Sequence, residues 1–322
     1  MTAMPHAPFP SVKGMPPVTD GSVDSLFAAY AASGVFGAGR MARALDVLEK
    51  MVRDDGCTVF LGLAGPLSAG GMRPIVADMV ERGLVDALFT TGANAVHDLL
   101  ECWECHHFHG DEAADDDELA EKGYARVFDL FVEESSFAGF EDRVQEAFDT
   151  IPEDDWRTMT PSRLLSLLGS DLEASGSILG AAARKGVPVF APSLTDSVLG
   201  LQLFLRAQTK PTTLDVVGDM AALSDLVYGT ERRGMIALGG GVPKHYMMGA
   251  ATLVGGHDYA LQVTLDRPEG GGLSGAPLRE GKSWHKVARG ADYVTVIGDT
   301  FIVFPLLYAG LLSRLRDKRG KR

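Results

Sequence analysis

The sequence predicts an α/β protein with a doubly wound, mostly parallel sheet. From residue 57 onward, short apolar runs alternate with longer segments of helical period, which is typical of a parallel sheet flanked by helices. Several runs end in glycine, aspartate or threonine just before a helix, at the strand ends where open α/β sheets bind ligands. The runs are CTVFLGL (57–63), LVDALFTT (84–91), VPVFAP (187–192), LDVVGD (214–219), GMIALGG (234–240), DYALQVTL (258–265) and DYVTVIGD (292–299).

Two helices are expected before the first of these strands. SVDSLFAAYAASG (22–34) and AGRMARALDVLEKMVRD (38–54) both carry apolar residues at helical spacing. The proline-rich residues 1–20 are expected to form a flexible arm, and the positively charged residues 317–322 a basic tail. The segment between them, 21–316, is expected to form a single domain, because open α/β sheets routinely reach that length.

Two segments interrupt the alternation. HHFHGDEAADDDELAEKG (106–123) is expected to be a charged surface loop that leads into a helix over 121–134. RPEGGGLSGAPLREGKSWHK (267–286) is a long glycine-rich stretch between two predicted strands. Structureless loops of that length inside a compact domain are usually functional, so this stretch is a candidate site.

Composition and charge narrow the classes of partner. The chain of 322 residues is 46% apolar and 23% charged, which is enough for one continuous core. Its formal net charge of −13 at pH 7 argues against nonspecific binding to nucleic acid or to an anionic membrane surface. A cationic substrate would be attracted, although acidity for solubility alone is the commoner explanation.

The cysteines and histidines bear on compartment and on metal binding. Cys57, Cys102 and Cys105 are an odd number, which suits a reducing compartment such as the cytoplasm. No stretch approaches the roughly 18 apolar residues of a membrane span, and the N-terminal residues lack the charge order of a signal peptide. The run CWECHHFH (102–109) invites a zinc hypothesis, but structural zinc sites usually draw four ligands from two knuckles. No metal is therefore predicted, metal binding by this run stays open, and His97, near a strand end, is the better candidate for ligand contact.

A run of three glycines ends the strand predicted at 234–240. It is followed by a helix that opens near Pro243. Glycine lets the backbone approach a phosphate closely, and the free N–H groups of a helix N-terminus favour an anion. The spacing is not the strict G-x-G-x-x-G pattern, so a nucleotide site and a tight strand-to-helix turn remain equal alternatives.

The end of the glycine-rich stretch, SWHK (283–286), places Lys286 two residues from Trp284. A lysine held against an aromatic wall loses hydration, which favours its neutral and nucleophilic amine near pH 7. The tryptophan face also attracts an alkylammonium ion. By spacing alone an ordinary surface lysine is the favoured interpretation, because most lysines are exposed.

Six segments, taken together and in order, resemble the deoxyhypusine synthase family over roughly residues 25–315. They are TVFLGL, VDALFTTGA, GVPVFAPSLTDSVLG, GMIALGGGVPKH, the loop SGA…SWHK and GDTFIVFPLL. The resemblance implies a Rossmann-like NAD-binding fold, a homotetramer, and transfer of an aminobutyl group from a polyamine such as spermidine. Hydride passes to NAD, the enzyme lysine takes up the four-carbon unit as an imine, and the unit then passes to an acceptor amine while the hydride returns.

The resemblance also implies roles for individual residues. Lys286 matches the family's catalytic lysine, and Trp284 matches the tryptophan beside the substrate amine. Glu280 matches an acidic group that holds a substrate ammonium. His245 matches a histidine that moves a proton and contacts substrate, and His97 is a further candidate for substrate contact. The positions that match cofactor-binding residues are Gly65, Thr91, Gly92, Asp196, Gly240, Asp299 and Thr300.

Two carboxylates of the family pattern are missing. TDGSLGD becomes TDSVLGL, with Leu201 in place of an acidic residue, and GSDSGA becomes GGLSGA, with Leu273 in place of aspartate. A buried ammonium without a carboxylate partner is costly, so binding of a long triamine should be weakened or re-aimed. Asn94 and His97 stand where the family carries glycine and glutamate. These departures resemble the deoxyhypusine synthase-like branch and leave the amine donor and acceptor open.

Three functions remain open at this point. In the first, the chain transfers the aminobutyl group to a lysine of a translation factor. In the second, it transfers the group to a free diamine such as putrescine, which yields homospermidine. In the third, the chain is a non-catalytic NAD-binding regulatory protein. Lys286 argues against the third function, since a non-catalytic relative would have no reason to keep this lysine together with Trp284 and Glu280.

Overall fold

The computed structural model of the protein describes residues 11–172 and 176–316. The predicted basic tail and residues 1–10 of the predicted arm lie outside the described residues. Residues 11–20 contain no helix or strand. Within the two described ranges, no helix is long and apolar enough to span a bilayer.

The strands form one large and one small sheet. In chain order they are β1 (Cys57–Leu63), β2 (Ala87–Phe89), β3 (His107–His109), β4 (Tyr124–Val127), β5 (Leu130–Glu133), β6 (Val189–Phe190), β7 (Arg232–Leu238), β8 (His257–Thr264) and β9 (Val287–Ile297). The large sheet has the order β6-β2-β1-β7-β8-β9, and every pairing in it is parallel. The small sheet has the order β3-β5-β4 and is antiparallel.

Helices cover the large sheet. They are α1 (Val23–Ser33), α2 (Phe36–Arg53), α3 (Arg73–Glu81), α4 (Gly92–Cys102), α5 (Asp116–Glu121), α6 (Glu134–Thr150), α7 (Pro161–Ser170), α8 (Ile178–Lys185), α9 (Val198–Ala207), α10 (Gly218–Tyr228), α11 (Gly241–Ala250) and α12 (Thr300–Arg316). The predicted N-terminal helices are thus confirmed as α1 and α2. Helix α2 packs along β9, and Asp292 of that strand accepts hydrogen bonds from Arg43 and Lys50 of the helix.

The order of the large sheet explains where a ligand can bind. Numbered by their order in the chain, its six strands lie side by side as 3-2-1-4-5-6, which is the Rossmann arrangement. The predicted doubly wound, parallel fold is therefore confirmed. Chain order reverses between β1 and β7, so the helices that follow these strands leave on opposite faces and open a crevice at the strand ends.

Alternating side chains distribute the core over both faces of the sheet. In β1, Val59, Leu61 and Leu63 join the large apolar cluster on one face, while Phe60 joins a second cluster on the other. Successive residues of a strand point to opposite faces, and both faces of this sheet are covered, so the strand is apolar at every one of these positions. This explains why the strands appear in the sequence as continuous apolar runs.

The strand predicted for LDVVGD (214–219) is wrong. Residues 214–217 form a turn, and α10 begins at Gly218. The carboxylate of Asp215 accepts hydrogen bonds from the backbone N–H groups of Val217 (3.1 Å) and Gly218 (2.8 Å). An aspartate that bonds the backbone two and three residues ahead favours a turn before a helix over an extended strand.

The helix predicted over 121–134 is also wrong. Residues 124–133 form the hairpin of β4 and β5, and the helix α6 begins only at Glu134. The turn between the strands has Phe128 in the left-handed region, at φ 55°. The segment is rich in aromatic and β-branched residues, which favour strands, and its charged flanks obscured this signal. The charged stretch before it holds β3 and the short helix α5, so it is a folded insertion and not only a loop.

A buried carboxylate joins α3, α4 and α8. Asp98, 1% exposed, accepts hydrogen bonds from Arg73 Nε (2.6 Å), Ser177 Oγ (3.1 Å), and the backbone N–H groups of Ile178 (3.1 Å) and Leu179 (2.8 Å). The last two donors belong to the first turn of α8, where backbone N–H groups have no partner within the helix. Asp98 therefore accepts hydrogen bonds both from the guanidinium group of Arg73 and from the N-terminus of α8.

Replacing Asp98 by alanine is expected to lower the free energy of unfolding by about 3 to 5 kcal/mol, because it removes the carboxylate partner of Arg73, whose side chain is 12% exposed, and leaves two amides unpaired. Denaturant unfolding followed by circular dichroism measures this loss. The control is Asp154→Ala, since the Asp154 side chain is 92% exposed and forms a surface ion pair with Arg157. Equal losses in the two variants would contradict the role given to Asp98.

Candidate active site

A cavity of about 310 Å³ lies between helix α11 and the glycine-rich segment 265–286 that joins β8 to β9. Its wall includes Lys286, Trp284, Glu280 and His245, the four side chains predicted to act on substrate. His245 comes from α11, and the other three come from the far end of the segment. Strand β8 lies between His245 and the other three residues in the chain, and the fold brings all four to one cavity.

Backbone hydrogen bonds fix the position of Lys286 at the start of β9. Its N–H donates to Gly281 O (2.8 Å), and its carbonyl accepts from His257 N (3.1 Å) on β8. His285 lies in the left-handed region at φ 55°, an uncommon conformation for a residue other than glycine. Gly256 also has a positive φ, and a Cβ there would lie 2.8 Å from the carbonyl carbon of Lys286. The lysine is therefore held by a tight and partly strained turn.

Lys286 and Trp284 face each other across the open side of the cavity. The Nζ atom of Lys286 lies 5.7 Å from the centre of the Trp284 ring, within range of a cation–π contact. Lys286 is half-buried, whereas Trp284 is 68% exposed and Glu280 is exposed. The cavity is consequently accessible from outside the chain on the side of the tryptophan.

His245 stands between two cavities. It lines the Lys286 cavity and also a neighbouring one of about 300 Å³, whose wall is mostly apolar and includes Tyr228 and Tyr246. Partial burial lowers the pKa of His245, and the nearby positive charge of Lys286 lowers it further. A neutral imidazole at neutral pH can accept a proton from an ammonium ion bound beside it.

Lys244 belongs to the same cavity, although the sequence did not indicate a role for it. Its side chain is buried, with the residue 2% exposed. Burial lowers the pKa of Lys244 to about 8; Glu280 opposes this shift and Lys286 adds to it. A positively charged lysine near a helix N-terminus interacts unfavourably with the helix dipole. That unfavourable position is the sequence signal that could have identified Lys244.

The predicted cofactor positions all follow the carboxyl ends of strands in the large sheet. Gly65 follows β1 and Gly240 follows β7, so both flank the point where strand order reverses. Thr91 is the N-cap of α4 and accepts a hydrogen bond from Asn94 N (3.2 Å). Asp299 precedes α12, and its carboxylate accepts from Phe301 N (2.8 Å). The remaining positions, Gly92, Asp196 and Thr300, follow β2, β6 and β9.

Two of these glycines also have a packing role inside the chain. A Cβ at Gly240 would lie 2.3 Å from the Cα atom of Ser274 in the glycine-rich segment. A Cβ at Gly92 would lie 2.5 Å from Ser197 Oγ. Both positions therefore require glycine for close approach of neighbouring backbone, whether or not a ligand is bound.

The strand ends fit a dinucleotide. The N-cap residue of α11, Gly240, has no side chain of its own, and Ser274 Oγ accepts from the N–H of Gly241 (2.8 Å). Gly65 has a positive φ of 78° with open space beside it. Backbone N–H groups at glycine turns and in the first turn of a helix suit phosphate groups. The exposed Asp196 and half-buried Asp299 offer carboxylates of the kind that bind ribose hydroxyls.

Comparisons with known proteins identify the family of the chain. The sequence profile described as deoxyhypusine synthase matches residues 25–311. The chain belongs to the deoxyhypusine synthase family. A probable deoxyhypusine synthase of Methanothermobacter thermautotrophicus is 44% identical over 303 residues, covering 92% of this chain and 97% of the relative. Probable deoxyhypusine synthase 1 of Methanosarcina mazei is 40% identical over 308 residues, covering 95% and 96%.

A solved structure shares the fold. A crystal structure assigned as a deoxyhypusine synthase, from Entamoeba histolytica, superposes with a TM-score of 0.61 over 91% of this chain and 93% of its own, at 20% sequence identity. The predicted family is thus confirmed, and so is the prediction that the chain is an enzyme of the transferase class.

The two departures from the family pattern lie in different places. Leu273 lines the Lys286 cavity, and its backbone carbonyl accepts a hydrogen bond from Lys244 Nζ (2.9 Å). Leu201 lies on α9, is 48% exposed, and is not among the residues that line this cavity. The wall of the cavity therefore contains one carboxylate, Glu280, beside two lysines.

His97, predicted to contact substrate, is not brought to the Lys286 cavity. Its Nδ1 atom lies 2.8 Å from His107 Nε2, and His107 Nδ1 lies 2.6 Å from a carboxylate oxygen of Glu101. This chain of hydrogen bonds joins α4 to strand β3 of the small sheet. Burial lowers the pKa of His97 to about 4, with a further lowering by His107 that Glu101 opposes.

The cysteine and histidine run does not form a metal cluster in the described part of the chain. No group of three or more histidine, cysteine or acidic side chains in residues 11–172 and 176–316 has a geometry that could hold a metal ion. Cys102 accepts from Arg73 Nη2 (3.0 Å), and His106 Nδ1 lies 3.2 Å from Glu101. Cys102 is thus bonded to α3, and His106 of the insertion is bonded to α4.

The free energy of unfolding is expected to fall as the pH drops from about 6.5 towards about 4. In that window the unfolded chain binds a proton at His97 that the folded chain excludes, at a cost of up to about 3 kcal/mol. His97→Gln should reduce this slope, although the buried His257, with its pKa also lowered to about 4 by burial, keeps part of it. His109→Gln, at an exposed position, is the control, and an unchanged slope in His97→Gln would refute the assignment.

Proposed function

We propose that the protein is an NAD-dependent aminobutyl transferase of the deoxyhypusine synthase type. One observation carries this proposal: Lys286, Trp284, Glu280 and His245 line a single cavity, and the glycine-rich segment that forms its wall also lies against Gly240 at the carboxyl end of β7. A lysine is the side chain that forms an imine with an electrophilic carbon and later releases it. Membership of the family supports this chemistry.

Each side chain in the cavity has a distinct task. Glu280 holds a substrate ammonium by charge, and Trp284 offers an aromatic face to the same cation. His245 accepts the proton that a bound amine must lose before it can react. Lys286 forms a bond to the carbon of the oxidised donor, displaces the leaving amine, and carries the four-carbon unit as an imine until an acceptor amine displaces it in turn.

NAD supplies a reversible hydride acceptor when it is bound. The residues proposed to hold it are Gly65, Thr91, Gly92, Asp196, Gly240, Asp299 and Thr300. Their positions at the carboxyl ends of parallel strands support this proposal, and one of them, Gly240, lies against Ser274 of the glycine-rich segment.

The proposed partners are a polyamine donor and an acceptor lysine on a translation factor. The open side of the cavity at Trp284 supports an acceptor that approaches from outside the chain. We also propose a homotetramer in the cytoplasm. The three cysteines are unpaired, and apolar side chains are exposed on α9 (Leu201, 48%; Phe204, 58%), as a surface between subunits would require.

Lys286→Ala is expected to abolish transfer and leave NAD binding intact, because removing the nucleophile does not remove the strand-end pocket. The protein is incubated with NAD and radiolabelled spermidine, reduced with borohydride, and digested to locate the label. Label on the peptide with Lys286 is the expected result. Lys282→Ala is the matched control, since Lys282 lies on the same segment with its Nζ atom over Tyr293, 4.6 Å from the ring centre.

The outcome that contradicts the proposal is the absence of any covalent adduct on the native protein with spermidine, putrescine or agmatine. The acceptor is identified in the same assay by adding either a translation-factor protein or free putrescine. Label transferred to protein supports the first acceptor, and labelled homospermidine supports the second.

Leu273→Asp is expected to strengthen spermidine binding about tenfold, because a second carboxylate in the cavity wall pairs with a second substrate ammonium, worth about 1.4 kcal/mol. The dissociation constant is measured by calorimetry with NAD present. Leu265→Asp is the control, since Leu265 is 65% exposed and does not line the cavity. A gain of the same size in the control would mean that net charge, not the cavity, attracts the polyamine.

A further inference from the structure

The buried side chain of Lys244 is fully bonded. Its ammonium group donates to Gln262 Oε1 (3.1 Å), to the carbonyl of Leu273 (2.9 Å), and to the carbonyl of Ala276 (2.7 Å). An ammonium has three N–H donors, so every one of them is used. Two of the acceptors belong to the glycine-rich segment 265–286, and the third belongs to strand β8.

We propose that Lys244 is a positioning residue that fastens the glycine-rich segment to the sheet and so sets the shape of the cavity around Lys286, whose own backbone is held by Gly281 and His257. This inference rests on the proposed function for the role of Lys286. The fastening itself is a property of the fold and can be measured without any turnover.

A connected set of hydrogen bonds surrounds Lys244. Gln262 donates to Ser274 O (2.8 Å) and to Gly239 O (3.3 Å), and Ser274 Oγ accepts from Gly241 N (2.8 Å). The segment is thereby joined both to β8 and to the glycine turn after β7. Because that turn is a proposed dinucleotide contact, the same bonds connect the proposed cofactor position with the segment that leads to Lys286.

Stability alone does not explain a lysine at this position. A buried ammonium loses its hydration, and its acceptors here are neutral oxygens that offset only part of that cost. A methionine has a similar length and would fill the space without a charge. The lysine therefore provides something that apolar packing cannot, namely three directed bonds, two to the glycine-rich segment and one to strand β8.

The bonding of Lys244 depends on its charge, and so on pH. The charged groups that face it are Glu280 and Lys286, both on the glycine-rich segment, with His245 beside it on α11. Since burial lowers the pKa of Lys244 to about 8, the group loses one of its three N–H donors as the pH rises through that value. The segment should then loosen in a pH range where most lysines are still charged.

The first experiment measures the segment itself. Hydrogen exchange of the full-length protein is followed by mass spectrometry for peptides within 271–286. Lys244→Met is expected to raise exchange there at least tenfold, while the matched control Lys282→Met leaves it unchanged. Equal protection in native protein and Lys244→Met would overturn the proposal, whatever the activity of either.

The second experiment measures the consequence for Lys286. The single-turnover rate of borohydride-trapped adduct is recorded from pH 6.5 to 9.5 with NAD saturating. The native protein is expected to show a fall in rate above about pH 8, and Lys244→Met to react at least tenfold more slowly without that fall. NAD affinity should change less than threefold, because the proposed dinucleotide contacts are retained.

A second variant separates position from charge. Ser274→Ala removes the acceptor of Gly241 N and should loosen the segment while retaining the fall in rate above pH 8. If Ser274→Ala also loses the fall, the pH dependence does not come from Lys244 and that part of the proposal is wrong. If the native protein forms no adduct at all, the proposed function fails, and hydrogen exchange still decides whether Lys244 fastens the segment.

Discussion

The parallel pairing of β1 with β7 is the constraint on which the rest of the structure depends. Seven residue pairs, from Cys57 with Arg232 to Leu63 with Leu238, join the two halves of the sheet at its centre. Chain order reverses at this pair, so the crevice at its carboxyl end exists only because these strands are neighbours. Strands β8 and β9 extend the sheet on the β7 side, and because they are parallel, the segment between them crosses from the carboxyl edge, where Ser274 lies against Gly240, to the amino edge, where Lys286 precedes β9. This crossover connects the proposed cofactor positions with Lys286.

The glycine-rich segment is held differently from the sheet. The strands are fixed by a continuous ladder and by apolar packing on two faces, whereas the segment is fixed by the buried Leu278 and by a few polar bonds to Lys244, Gln262 and Gly241. Polar bonds are directional, and each buried group left without a partner is costly, so such an arrangement defines one position sharply. It is also open to adjustment by pH or by a ligand that competes for one bond. A segment of this kind suits the proposed site, which must admit an amine and later release it.

Much of the fold could be predicted from the sequence because parallel strands covered on both faces are apolar without interruption. That pattern identified the six strands of the large sheet and located their ends. It failed at 214–219, where Asp215 bonds its own backbone, and at 121–134, where charged flanks suggested a helix and the chain forms a hairpin. In the first case a side chain bonds the local backbone, and in the second the strand preference of aromatic and β-branched residues outweighs the charged flanks, so composition resolves neither. The site residues came from resemblance to the family, and the cavity supports four of them.

By itself, the sequence determined that a parallel sheet forms, which strand ends carry glycine and aspartate, and that Lys286 follows a glycine-rich stretch. Only the tertiary structure decided which of the candidates meet. It placed His97 with His107 and Glu101, away from the cavity, and it brought Lys244 into the cavity beside Lys286. The physical reason is that local patterns report the burial of each segment, whereas a shared cavity depends on contacts between segments distant in the chain, and those contacts leave no periodic trace in the sequence.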